Sequence, residues 1–244
     1  MRVEPERLAA GPLRIEGDEH HYLARVRRLR AGDDVTVFDG AGREAPARIR
    51  HIDRSGASLE VGEPRTGAAP ALPIAVAFAP VKGDRSEWMI QKLVELGATA
   101  LYPVQTARSV VVPRGRRADA RVDRYRAIAA EAARQSRNPT IPRIEPIAPL
   151  ADILAALSDA ELKLALWEEA RDTPLRAALP ERAPADVALL IGPEGGLSDE
   201  EIEQAEAAGF AAVGLGPRIL RAETAAIAAV AIVQHALGDL GESS

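Results

Sequence analysis

Leu190-Ile191-Gly192-Pro193-Glu194-Gly195-Gly196 and Leu215-Gly216-Pro217-Arg218-Ile219-Leu220-Arg221-Ala222-Glu223-Thr224-Ala225 decide how this 244-residue chain is read. Each stretch follows a short apolar run with the character of a buried strand, and each precedes a helical pattern. Two such strand ends side by side form a crevice lined by backbone, the usual ligand position in an open α/β sheet. Glycine suits that place because a missing Cβ lets the main chain turn sharply and approach a ligand closely. The loops also carry an acid, Glu194, and the pair Arg221 and Glu223.

Upstream of these loops the pattern is strand alternating with helix, which predicts an α/β domain. Strands are expected at Ile74–Ala79, Ala100–Val104, Ser109–Val112, Leu162–Trp167, Asp186–Ile191 and Ala212–Leu215. Asp84 is placed to cap a helix running through Glu95, with Glu87 at capping-box spacing. A long helix is expected over Ala118–Ser136, stopped by Asn138-Pro139. Ser198 should cap another, with Glu201 three residues on and Leu197 and Ile202 as a hydrophobic staple. The last helix, Ala222–Leu237, is apolar nearly all round, which fits burial in a subunit interface or in a core.

The first seventy residues read differently. Asp34–Phe38 alternates at period two, Asp39-Gly40-Ala41-Gly42 signals a turn, and Glu44–Ile52 and Ala57–Val61 are further strand candidates. Asp18–Leu29 reads as a helix with Tyr22, Leu23, Val26 and Leu29 on one face and an arginine cluster on the other. Gly62–Leu72 reads as a linker. The expected domains are therefore 1–68 and 73–240.

Composition narrows the chemistry. At 47% hydrophobic residues the chain can build a real core, and no apolar run approaches a membrane span. With no signal-peptide pattern, the expected compartment is the cytoplasm. The absence of cysteine excludes disulfides, thiolate metal sites and a cysteine nucleophile. The four histidines are not spaced like metal ligands, so no metal is expected. Net charge is -5, yet nine arginines (108, 114, 116, 117, 121, 124, 126, 134 and 137) face only Asp119, Asp123 and Glu131 between residues 108 and 137. Such a patch fits a polyanion at one face, and equally a solvated helix face in an arginine-rich proteome.

The loops lack the Gly-x-Gly-x-x-Gly spacing of a dinucleotide site and the Gly-Lys-Ser/Thr of a P-loop. Taken alone, Gly-Pro-Glu-Gly-Gly is as well a tight turn. Taken together, Gly-Pro-Glu-Gly-Gly followed by Leu-Gly-x-Arg-Ile-Leu-Arg-x-Glu-Thr-Ala resembles the ribosomal RNA small subunit methyltransferase E family of the SPOUT superfamily. Lys82, Gln91–Gly97, Pro103, Arg108-Ser109, Glu131–Arg137 and Pro139 extend the resemblance, as does His20–Gly32. The chain departs from the family at Ala222, where threonine is common.

The resemblance implies a trefoil-knotted SPOUT α/β methyltransferase domain with a small N-terminal PUA-like β-barrel that helps hold RNA. It implies a homodimer whose substrate is N3 of a uridine in 16S rRNA, free or in the small ribosomal subunit, with S-adenosylmethionine as methyl donor. At positions matching the family, the cofactor contacts would come from Leu166, Gly192, Gly196, Leu215, Gly216, Ile219 and Leu220. Arg221 is the first candidate for stabilising negative charge on the base, because a guanidinium stays protonated and donates in a fixed fork. Glu194 is the candidate proton acceptor, with Glu223 behind it. Candidate RNA contacts are Arg25, Arg28 and Arg30 in the small domain and Lys82, Arg85, Arg134 and Arg137 in the large one. Aromatic content of 3% argues for recognition by shape and phosphate more than by base stacking. Two other readings stay open: a non-catalytic RNA-binding protein, and a nucleotide-dependent oxidoreductase with a degenerate loop.

Overall fold

The computed structural model describes residues 1–67, 70–110 and 113–241. The chain divides into two compact units, Met1–Ala69 with Ala133–Ile141, and Pro70–Ala132 with Pro142–Ser244.

The small unit is an antiparallel sheet of β1 (Gly11–Ile15), β2 (Asp34–Phe38), β3 (Arg43–Ile52), β4 (Ala57–Val61) and β5 (Arg65–Thr66). Its order is β1-β4-β3-β2, with β5 beside β3. Side chains alternate along β1, β3 and β4, so that Leu13, Ile15, Ile49, Leu59 and Val61 form one buried face. Period-two alternation puts successive residues on opposite faces. The predicted β2–β3 turn forms around Asp39, whose carboxylate accepts the Ala41 and Arg43 N–H groups at 2.8 and 3.0 Å and the Arg43 side chain at 2.8 Å. Residues 133–141 belong to this unit because they bond to that turn: Ile141 N–H donates to the Gly40 carbonyl and Gly42 N–H to the Pro139 carbonyl.

Helix α1 (Gly17–His21) is shorter than the expected Asp18–Leu29. It continues as a π-helical turn over Tyr22–Val26, with Arg27 N–H bonded to the Tyr22 carbonyl and Leu29 N–H to the Leu23 carbonyl. Arg28 then takes a left-handed φ of 52° and ends the helix. The π turn changes the period, which is why a 3.6-residue template overran it. Strand β1 precedes the region where the sequence gives a clear alternation and was not expected.

The large unit is a parallel sheet of β6 (Ile74–Phe78), β7 (Ala100–Gln105), β8 (Arg143–Ile144), β9 (Ala148–Pro149), β10 (Leu162–Leu166), β11 (Val187–Ile191) and β12 (Ala211–Val213). The order is β12-β10-β11-β6-β7-β8, with β9 beside β7. Every residue of β11 is buried, as expected for a central parallel strand covered on both faces. Around the sheet lie α2 (Arg85–Glu95), α3 (Arg116–Ser136), α4 (Leu150–Ala156), α5 (Leu175–Ala178), α6 (Asp199–Ala207) and α7 (Ala222–Leu237). The strand expected over 109–112 runs into residues 111 and 112, which lie outside the described residues, and Ser109 and Val110 belong to no strand.

Two helix starts test the capping rules. At α6 the box forms: the Ser198 hydroxyl accepts Glu201 N–H and the Glu201 carboxylate accepts Ser198 N–H. At α2 it does not. Asp84 makes no side-chain cap, and Glu87 is drawn instead into a charge-assisted pair with Arg124 of α3. A two-pronged bond from a guanidinium outcompetes a single neutral amide. Helix α7 packs on α2, β6 and β11 through Ala226, Ala229, Val230 and Val233. Ile232, on its other side, is 39% exposed.

Candidate functional site

The topology fixes where a cleft can open. Strand β10 lies between β12 and β11, and all three run parallel, so the loops leaving their C-terminal ends converge at one edge. That is the position at which open α/β sheets bind ligands. A cleft sits there, lined by Leu166–Glu168 after β10, Ile191–Glu194 and Gly196 after β11, and Gly214–Leu220 after β12, with Ala222 and Ala225 of α7.

Two glycines in it are constrained. A Cβ on Gly192 would stand 2.9 Å from the Leu197 nitrogen, so a side chain there would have to displace backbone. Gly196 has a φ of +72°, which L side chains rarely adopt, and a Cβ on it would meet the Glu168 carboxylate. The loop is also pinned from outside, because the Arg108 guanidinium donates to the carbonyls of Gly195 at 2.9 Å and Leu197 at 3.2 Å. The sequence counted Arg108 in the basic stretch that fits a polyanion; in the structure it also holds the glycine loop.

All seven expected cofactor positions, Leu166, Gly192, Gly196, Leu215, Gly216, Ile219 and Leu220, lie on the wall of this one cleft, and Glu194 lies there too. Arg221 is exposed and stands at the N-cap of α7, beside the lining residues Leu220 and Ala222. Glu194 is not a lone acid. It accepts the Arg85 side chain at 2.7 Å and the Lys82 N–H at 3.3 Å. Arg85 also lies 3.7 Å from Glu223, which is 5% exposed and keeps one buried oxygen, Oε2, without a hydrogen-bond partner. Arg85 therefore bridges the two candidate acids of the site.

Two side chains of the cleft, Glu168 and Arg171, escaped the sequence reading, and a third, Arg218, stood in the quoted motif without a role. All three are exposed, and none makes a side-chain hydrogen bond or ion pair among the described residues. The Trp-Glu-Glu that follows β10 carries no recognisable spacing, so only the strand order reveals that Glu168 overhangs Gly196.

The residues fit a ligand with the chemistry of S-adenosylmethionine. Leu166, Leu215, Ile219 and Leu220 give apolar walls, the glycines allow backbone approach, and Glu168 with Arg171 and Arg218 offers unpaired charge of both signs. The enclosed space is narrow, about 110 Å³, and the outer wall is the Gly216–Leu220 loop, with Ile219 80% exposed.

Comparison with known proteins agrees with this geometry. Residues 68–234 match the model of the RNA methyltransferase domain family, and residues 15–62 that of the RNA methyltransferase PUA domain. Ribosomal RNA small subunit methyltransferase E of Bacillus subtilis is 35% identical over 91% of this chain and 89% of its own. The chain belongs to the ribosomal RNA small subunit methyltransferase E family. The Synechocystis member is 33% identical over 96% of this chain and 77% of its own. The crystal structure of the Neisseria gonorrhoeae member bound to S-adenosyl methionine superposes with a TM-score of 0.87, at 33% identity, covering 98% of both chains. The fold class is accordingly that of the family: a PUA-like N-terminal part and an α/β RNA methyltransferase domain.

The expected RNA contacts divide into two groups. Arg25, Arg28, Arg30, Lys82 and Arg137 are exposed. Arg85 and Arg134 are engaged within the protein, Arg85 as described and Arg134 with Glu19 at 3.2 Å and over the Tyr22 ring at 4.6 Å. Among the described residues no three acidic or histidine side chains converge as a metal site would require, and no helix is long and apolar enough to cross a membrane.

Proposed function

We propose that this protein transfers a methyl group from S-adenosylmethionine to N3 of a specific uridine in the 16S rRNA of the small ribosomal subunit, as a cytoplasmic homodimer. The observation that carries the reading is the single cleft at the ends of β10, β11 and β12, in a chain of this family. Residues 1–68 are assigned to holding RNA and 73–240 to the methyl transfer.

S-adenosylmethionine supplies a methyl group made electrophilic by a sulfonium. The protein's share of the work is to bind, orient and exclude water. Backbone at Gly192, Gly196 and Gly216 and the apolar walls hold the cofactor, while Glu168 and the two cleft arginines engage its polar ends. Uridine N3 carries a proton at neutral pH. As the N3–methyl bond forms, the sulfonium's bond to that methyl breaks with its electron pair left on sulfur as a neutral thioether, and the N3 proton must leave; Glu194 is the proposed acceptor, with Glu223 behind it and Arg85 fixing both. Arg221 is assigned to the negative charge that develops on the uracil oxygens. Without a cysteine nucleophile to add to the ring, carbon-5 is a poor acceptor and a ring nitrogen a natural one.

The open side of α7 supports the dimer. Ala231 and Ile232 remain partly or well exposed on a helix with no charged residue between Glu223 and His235. The test is direct. Small subunits from cells lacking the activity are incubated with the protein and labelled cofactor, and the modified nucleotide is mapped by mass spectrometry. One methylated uridine is expected, and Arg221→Ala should lower the rate by about 10²-fold with cofactor affinity kept. No incorporation by wild type would leave the non-catalytic RNA-binding reading.

A further inference from the structure

The small unit contains a cavity of its own. It encloses about 460 Å³, within the ~300–1,000 Å³ of small-molecule sites. Leu23, Leu29, Val35 and Phe38 give it an apolar floor, and Tyr22 gives it an aromatic wall. Aromatic residues make up 3% of the chain, yet two of them meet at this one cavity.

Its charge is set by which groups are already satisfied. Two acids line it, and both have outside partners: Glu44 accepts from Arg65 at 2.9 Å, and Asp34 lies 3.9 Å from Arg48. Arg134 is bound to Glu19 and lies over Tyr22, stiffening the wall. That leaves Arg27 and Arg137, whose side chains make no hydrogen bond or ion pair among the described residues. Arg137 is held at a φ of 58°, and Arg28, next to Arg27, at 52°. Left-handed backbone at a residue with a Cβ costs free energy and tends to persist at ligand sites.

An apolar floor, an aromatic wall and two uncommitted guanidinium groups at the rim match one ligand chemistry: a base with its phosphate. Guanidinium forks suit phosphate oxygens, and single-stranded RNA is read by splaying bases onto aromatic and apolar surfaces. A cavity of about 460 Å³ is the size for one nucleotide and too small for a duplex. We propose that this cavity binds one unpaired nucleotide of an RNA strand, giving the small unit its own anchoring point for the substrate. The inference rests on the RNA-acting reading above and adds to it a site and a ligand class.

The experiment titrates full-length protein with a labelled single-stranded RNA decamer and, separately, with uridine and adenosine monophosphates. Cofactor binding by calorimetry serves as the check on folding. Arg27→Ala with Arg137→Ala should weaken RNA binding at least tenfold and reduce the salt slope by roughly 1.4, two single-strand phosphate contacts. Leu29→Trp, which fills the cavity and changes no charge, should weaken it at least fivefold. Arg176→Ala with Arg182→Ala, exposed arginines of the large unit, should change it less than twofold. RNA binding tighter than mononucleotide binding identifies a strand as the occupant; equal affinities identify a free nucleotide and overturn the anchoring role. RNA affinity unchanged in both cavity variants, with wild type binding well, overturns the site and leaves the methyltransferase reading intact. Failure of wild type to bind RNA at all overturns both.

Discussion

The cleft of the large unit and the cavity of the small unit solve the same problem with different materials. The cleft is built from backbone: Gly192 has no room for a Cβ, Gly196 sits at φ +72°, and Arg108 fastens the loop by its carbonyls. The cavity is built from side chains, with guanidinium groups on a rim over an apolar floor. A backbone site fails abruptly, because displaced main chain moves every contact at once. A side-chain site weakens in steps, one charge at a time, and responds to salt.

The largest expected effect tests the backbone half of that contrast. Gly192→Val should weaken S-adenosylmethionine binding by 100-fold or more in calorimetry while RNA affinity stays within twofold. An equal loss of both would mean the contrast is false and the variant is simply unfolded. Next comes the side chain that overhangs the glycine loop. Glu168→Ala should weaken cofactor binding about tenfold, worth ~1.4 kcal/mol, with Glu168→Gln in between; unchanged affinity in both would remove Glu168 from the site.

Arg85 separates the two kinds of role most sharply. As the bridge between Glu194 and buried Glu223, its loss leaves a buried carboxylate without its countercharge. Arg85→Ala should therefore cost roughly 1–3 kcal/mol in urea unfolding, whereas Arg25→Ala should cost nothing measurable. Equal stability of the two variants would return Arg85 to the RNA-facing set.

The smallest effect concerns the turn that closes the small unit. Burial by itself would raise the Asp39 carboxyl, but bonds from the Arg43 side chain, the Arg43 N–H and the Ala41 N–H outweigh it and hold the group below the usual carboxylate range. A depressed folded pKa contributes stability above the unfolded value of about 3.9, which is lost as pH falls through the folded one. The difference in melting temperature between wild type and Asp39→Asn should shrink as pH drops from 5 toward 3. A constant difference would show that the carboxylate's charge is not what stabilises the turn.

What the sequence could show follows the same division. Strands β6, β7, β10, β11 and β12 and the α6 capping box were legible because their signals are local: apolar runs, turn glycines, Ser198 with Glu201. The seven expected cofactor positions came from the family resemblance, and all of them line the cleft at the ends of β10, β11 and β12. Helix α4 was missed although Leu150, Ile153, Leu154 and Leu157 follow its period and are all buried. Pro149 at its start was the overlooked signal. The roles of Glu168, Arg108 and Arg85 were not legible at all. Each depends on a contact spanning 28 or more positions of chain, which only strand order and packing create. The α2 capping box failed for the same reason, with Arg124 reaching Glu87 across 37 positions.

Amide hydrogen exchange of the full-length protein, with and without S-adenosylmethionine, tests the central claim most directly. The geometry predicts slowed exchange confined to 166–168, 192–197 and 214–221, greatest in the exposed 216–221 loop. Slowing elsewhere, with those three loops unchanged, would contradict it.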